Sequence, residues 1–115
     1  MSTLSSPEII PKVWGHEEVI VNNSLYCGKL LHLKEGAISS LHSHDIKHET
    51  FYILSGRVAL KLESVTFILG PGSSVTVEPK TKHSFMGLEA SVIVEFSTPH
   101  SEEDVTRYEP SRERV

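Results

Sequence analysis

The chain has 115 residues, 38% of them apolar and 23% charged, with a formal net charge of −4 at pH 7 and one cysteine. That length allows one domain with a single core. The acidic balance disfavours nucleic acid and anionic membrane as partners, and the lone Cys27 excludes an internal disulfide and fits a reducing cytoplasm.

The first segment, MSTLSSPEIIPK, lacks a basic stretch followed by a long apolar one, so no signal peptide is expected. No apolar run approaches the roughly 20 residues that cross a bilayer. Residues 1–12 read as an arm, with Pro7 and Pro11 against helix. From Glu17 onward the chain reads as short strands: VIVN, KLLHL, ETFYIL, RVALKLE, VTFIL, SSVTV and SVIVEF. Turn signals separate them at Asn22-Asn23, Glu35-Gly36, Ser55-Gly56, Gly70-Pro71-Gly72 and Pro79-Lys80. No sustained 3.6-residue period occurs between 13 and 97, so the expected class is all-β, a sandwich or barrel over 13–100. Residues 101–115 are polar and read as a solvated tail, with Ser101 and Asp104 able to cap one helical turn.

The chemistry concentrates in GAISSLHSHDIKHETFYILSG and in His83 beyond it. Three imidazoles and a carboxylate (His42, His44, His83 and Glu49) are donors that suit one divalent ion of the Mn, Fe, Co, Ni or Zn type. His42 and His44 differ by two, so an extended segment turns both to one side. Glu49, Phe51 and Ile53 share a face of the next strand, and His83 and Phe85 share one later. Cys27, Lys29, Leu31 and Leu33 alternate on one face, which carries Lys29 inward with the leucines. Glu49 is the one carboxylate this counting places inside. Lys47 and His48 read as surface loop, His16, His32 and His100 as surface or packing histidines, and Cys27 as an inert buried thiol. Arg57, Lys61 and the run Arg112-Glu113-Arg114 read as solvent-facing, and Trp14 as packing.

These residues resemble the cupin superfamily. The first run fits the motif G-x5-H-x-H-x4-E-x6-G at every specified position, from Gly36 to Gly56. Residues 57–71 form a short spacer that matches a tight hairpin at Glu63-Ser64. GSSVTVEPKTKHSFMG resembles the second motif, G-x5-P-x-G-x2-H-x3-N, keeping Gly72 and His83. It departs at Glu78, Lys80 and Gly87, where the family has Pro, Gly and Asn; Pro79 is placed to restore the bend. The resemblance covers about residues 25–97 and implies a double-stranded β-helix barrel, often dimeric, with His42, His44, Glu49 and His83 on a metal.

A further resemblance is to the cupin-type mannose-6-phosphate isomerases and related sugar isomerases. It rests on Lys12-Val13-Trp14-Gly15 before Glu17-Glu18, on Lys29, and on Glu103-Asp104-Val105-Thr106-Arg107. His42 and Lys47 depart from it, standing where that group commonly has Gln and Arg. It implies aldose–ketose isomerisation of a sugar or sugar phosphate, with Glu49 catalytic and Lys29 and Arg107 on substrate. Two other readings use the same residues: an Fe(II) dioxygenase and a non-catalytic sugar-binding module. The apolar segment of Ile9, Ile10, Val13 and Trp14, with open sheet edges, leads to the expectation of a homodimer.

Overall fold

A computed structural model describes residues 2–114; Met1 of the expected arm and Val115 of the expected tail lie outside the described residues. Among these residues the strands are β1 (Glu8–Lys12), β2 (Gly15–Asn22), β3 (Cys27–Leu33), β4 (Leu41–His44), β5 (Glu49–Ser55), β6 (Val58–Leu62), β7 (Val65–Leu69), β8 (Ser74–Val77), β9 (His83–Gly87), β10 (Ser91–Ser97) and β11 (Val105–Glu109). A six-stranded sheet runs β1-β2-β3-β10-β5-β8 and faces a five-stranded one, β11-β4-β9-β6-β7. Every named pairing is antiparallel. This is the all-β, double-stranded β-helix architecture that the strand pattern and the cupin resemblance led us to expect. No helix among the described residues is long and apolar enough to cross a membrane.

Side-chain alternation builds the interior. On β3, Cys27, Lys29, Leu31 and Leu33 are buried while the residues between them are less so. β5 buries Glu49, Phe51 and Ile53, β9 buries His83 and Phe85, and β10 buries Ser91, Ile93 and Glu95. β3, β5 and β9 thus carry both apolar and polar residues on their inward faces, and β10 carries Ile93 and then Glu95. In register, Ile93 lies opposite Leu31 and Ile53, and Glu95 lies opposite Lys29 and Phe51. One end of the interior is an apolar plug of Leu33, Ile53, Val58, Leu60 and Ile93. The other is a polar layer, and it holds the chemistry.

Two turns show how local sequence sets this frame. Gly56 takes φ 85, and a Cβ there would lie 2.2 Å from Ser91 Oγ and 2.4 Å from the Ala90 carbonyl oxygen. Only glycine fits that crossing. In Glu78-Pro79-Lys80-Thr81, the Thr81 N–H donates to the Glu78 carbonyl at 3.3 Å, and Lys80 takes φ 69. Pro followed by a residue at positive φ is the type II pattern, which explains why glycine suits the place Lys80 holds. The Lys80 N–H in turn donates to the His44 carbonyl at 2.6 Å, tying this turn to β4. The hairpin at Glu63-Ser64 is present, with Glu63 at φ 52 between β6 and β7.

Two edge strands were not read from the sequence. Residues 8–12, within the expected arm, form β1 against β2; Pro11 is tolerated because the strand has a free edge. Residues 105–109, within the expected solvated tail, form β11 against β4. Before it comes a 3-10 turn, Glu102–Asp104, in which Ser101 Oγ accepts from the Glu103 N–H, so the anticipated cap is real and a strand follows it.

Candidate metal centre and its pocket

His42 on β4 lies directly opposite His83 on β9, with ring centroids 4.3 Å apart. His44, two residues on, brings its ring to 5.2 Å from His42 and 5.5 Å from His83. The three imidazoles offer nitrogens that all lie within 4.8 Å of one another. Glu49 enters from the opposite sheet. Its Oε1 is 3.2 Å from His83 Nε2, and its Oε2 is 3.5 Å from His44 Nε2.

Two backbone carbonyls fix the tautomers. His42 Nδ1 donates to the Ser40 carbonyl and His83 Nδ1 to the Thr81 carbonyl, each at 2.8 Å. A carbonyl only accepts, so each ring carries its proton on Nδ1 and bares the Nε2 lone pair when neutral. His83 Nε2, Glu49 Oε2 and His44 Nδ1 are buried without a hydrogen-bond partner. Polar atoms in such a position are costly unless something binds them. These donors fit a divalent ion bound at about 2.0–2.2 Å to N and O, and the three histidines can hold one.

Electrostatics keeps them ready. Burial, then the neighbouring His83, lowers His42 to about 3. Burial lowers His44 to about 4 against the pull of Glu49. Burial raises the Glu49 carboxyl, but the adjacent His83 and Lys47 outweigh it and bring it to about 2. At neutral pH His42 and His44 are therefore neutral and Glu49 is ionised, the states a metal requires. The sign for stability follows. An unfolded histidine titrates near 6.5, so below that pH the unfolded chain takes up protons that His42 and His44 in the fold refuse. Stability from these two is complete above about pH 6.5 and is lost as pH falls toward 4. Thermal unfolding of metal-free protein should show a midpoint that is level above pH 7 and drops steadily between pH 6 and 4. A level midpoint throughout would contradict the burial of these rings.

A cavity of about 310 Å³ opens beside this cluster, lined by His42, His44, Glu49 and Lys29 among others. Trp14, packed edge-on to Phe85 at 5.2 Å, forms part of its apolar wall. Lys29 is inward and 4% exposed, as alternation on β3 led us to expect, and its Nζ donates to Glu17 Oε1 at 3.3 Å. Arg107 on β11 pairs in register with His42, lines the cavity, and is ion-paired with Glu102 at 3.1 Å.

Three residues correct the sequence reading. Lys47, read as surface loop, is 3% exposed and its Nζ lies 2.6 Å from Glu95 Oε2 and 3.5 Å from Glu49 Oε2. Glu95 is a second inward carboxylate beside Glu49. His100, read as surface or packing, accepts from Lys47 Nζ at Nδ1, 3.0 Å, and meets Glu102 Oε1 at 3.2 Å through Nε2. A continuous polar chain thus runs from Glu95 through Lys47, His100 and Glu102 to Arg107. The spacing of two between Lys47 and Glu49 was the available signal for Lys47. For Glu95 the signal pointed the wrong way, because the wholly apolar face of SVIVEF is Val92, Val94 and Phe96, while Glu95 shares the other with Ser91 and Ile93. Cys27 is buried, and burial raises its thiol, consistent with an inert role.

The sequence profile of the cupin domain matches residues 29–101. Among curated proteins none matches. Several solved structures share the fold. A Streptomyces PAC13 variant with uridine superposes with TM-score 0.80 at 18% identity, covering 95% of this chain and 93% of the other. An RmlC-like cupin from Shewanella frigidimarina NCIMB 400 gives 0.77 at 18%, covering 84% and 87%. KdgF from Halomonas sp. gives 0.71 at 19%, covering 76% and 81%. At such identities the likeness carries the fold alone.

Proposed function

The chain belongs to the cupin domain family, and from that premise we propose that it is a metal-dependent isomerase of a sugar or sugar phosphate, interconverting aldose and ketose. The observation that carries this is the pair of carbonyl-anchored imidazoles, His42 and His83, grouped with His44 and with Glu49, which lies 3.2 Å from His83, at the wall of a polar cavity. His42, His44, His83 and Glu49 are the ligand set. When bound, a divalent metal polarises a carbonyl and its neighbouring hydroxyl. Glu49, held ionised, is the fourth ligand and the carboxylate nearest to hand for carrying a proton from one carbon to the next. Lys29 and Arg107 donate hydrogen bonds to substrate oxygens and steady negative charge as it develops. Trp14, Phe51 and Phe85 keep water from one wall. Both segments that resemble sugar isomerases, around Trp14 and around Arg107, reach this cavity. Pac13, which shares the fold, is described as a nucleoside dehydratase, so proton chemistry on a small ligand is at home in this architecture.

The test is to strip the protein, supply Mn, Fe, Co, Ni or Zn singly, and follow sugar isomerisation together with oxygen uptake. Turnover of a sugar without oxygen uptake is expected. Oxygen consumption with iron bound would replace this reading with the dioxygenase, and binding without turnover in any metal form would replace it with the sugar-binding module. Lys29→Ala should keep full metal stoichiometry while kcat/KM falls about 10- to 100-fold, the worth of one hydrogen bond from a charged group. Loss of metal in that variant would move Lys29 from substrate to structure.

We also propose a homodimer. Ile9, Val13 and Ile20 are exposed on and between the edge strand β1 and its neighbour β2, leaving apolar surface for a partner copy to cover. Light scattering at micromolar concentration should give twice the chain mass of 12.8 kDa; the single-chain mass would refute it.

A further inference from the structure

We propose that the cavity reads the hydroxyl groups of an uncharged polyol and has no subsite for a phosphate ester. This rests on the metal-dependent sugar reading above and narrows its substrate class. Four cationic side chains line the cavity: Lys12, Lys29, Lys47 and Arg107. Three of them already have a carboxylate. Lys29 Nζ is 3.3 Å from Glu17, Lys47 Nζ is 2.6 Å from Glu95, and Arg107 is 3.1 Å from Glu102. The Lys47–Glu95 pair is buried on both sides, and Lys29 is buried against a Glu17 that is 14% exposed, so pulling either apart would leave a charge stranded in a largely dry setting.

A phosphate monoester brings up to two negative charges and oxygens that chiefly accept. Beside any of these pairs it meets one donor and one repelling carboxylate. A hydroxyl both donates and accepts. A Lys–Glu pair presents an N–H donor next to a carboxylate acceptor, so neighbouring hydroxyls on a sugar satisfy both halves without breaking the pair. The wall is matched to polyol edges and mismatched to a dianion. Lys12, partly exposed on β1 and without a carboxylate partner among the described residues, is the one lining cation not neutralised in this way.

The test uses manganese-loaded protein at fixed ionic strength and calorimetric titration with mannose, fructose and their 6-phosphates. Wild type should bind each free sugar at least as tightly as its phosphate. Glu17→Gln, which releases Lys29, should shift that ratio about tenfold toward the phosphate. Glu102→Gln, at the rim, should shift it the same way by less, and stands in if Glu17→Gln does not fold. Attraction of phosphate to the bound cation is common to all variants, so the change in ratio isolates the pairs. A 6-phosphate binding tenfold tighter than its free sugar in wild type would overturn the proposal, as would an unchanged ratio in the released variants. If no sugar binds in either form, the isomerase reading fails by itself. Titration with inorganic phosphate then decides the charge question: a gain in Glu17→Gln supports it, and equal binding to both proteins overturns it.

Discussion

His83→Ala is expected to abolish both metal binding and turnover while leaving the fold in place. His83 is 1% exposed, and its Nε2 has no hydrogen-bond partner in the protein. Loss of an outer-shell partner alone typically costs 10- to 100-fold in metal affinity, so loss of an imidazole ligand should cost at least about 100-fold. The β9 backbone still pairs with β6 and β4, because those contacts do not use the ring. The space left lies in the polar layer, beside Glu49, where water can enter. Metal-free wild type and variant should therefore melt within a few degrees of each other. Their difference should appear on adding metal: an ion at 100 times its Kd stabilises by about 2.7 kcal/mol, and the variant should show almost none of that. Elemental analysis after dialysis, with thermal melts in both states, reads this directly. Undiminished stoichiometry in His83→Ala would remove His83 from the ligand set.

Much of this site is legible in the sequence, and the reason is parity. Spacing of two put His42 with His44, Glu49 with Phe51, and Lys29 with Leu31, and β3, β5 and β9 keep those faces. Parity works where one face of a strand is apolar and the other is not. It fails on β10, where Val92, Val94 and Phe96 alternate with Ser91, Ile93 and Glu95; the more polar set is the buried one. Lys47 was hidden for another reason. It sits outside the strands, and a lysine in a short loop is ordinarily solvated, so only the tertiary approach of Glu95 and His100 makes burial tolerable. β1 and β11 escaped because edge strands need no apolar run. Their partners supply the pairing, and most of their residues stay exposed.

The ending of the chain matters to the site through one carboxylate. Asp104 Oδ1 accepts from the Asp45 N–H at 2.9 Å and the Ile46 N–H at 3.1 Å, and Oδ2 accepts from the Lys47 N–H at 2.9 Å. Those three N–H groups belong to the loop between His44 and Glu49, the segment whose length fixes the spacing of two proposed ligands and carries Lys47 inward. The capped 3-10 turn holds Asp104, and β11 anchors it against β4. Removing the carboxylate leaves all three donors to water. Hydrogen bonds to charged groups contribute about 1.5–3 kcal/mol each when sheltered; three that share one partly exposed acceptor should total about 2 kcal/mol. For a domain of this size that lowers the melting midpoint by about 10 °C. Asp104→Ala should also weaken metal binding about tenfold, since His44 and Glu49 lose the tether that sets their separation. Asp104→Asn should fall between the two, because one amide oxygen replaces one of two acceptor oxygens and the NH2 group faces an N–H. Glu103→Ala, exposed beside it, should change stability by no more than about 0.5 kcal/mol. If Asp104→Ala melts with wild type and holds metal as tightly, the loop is set by its own sequence, and the carboxylate only decorates it.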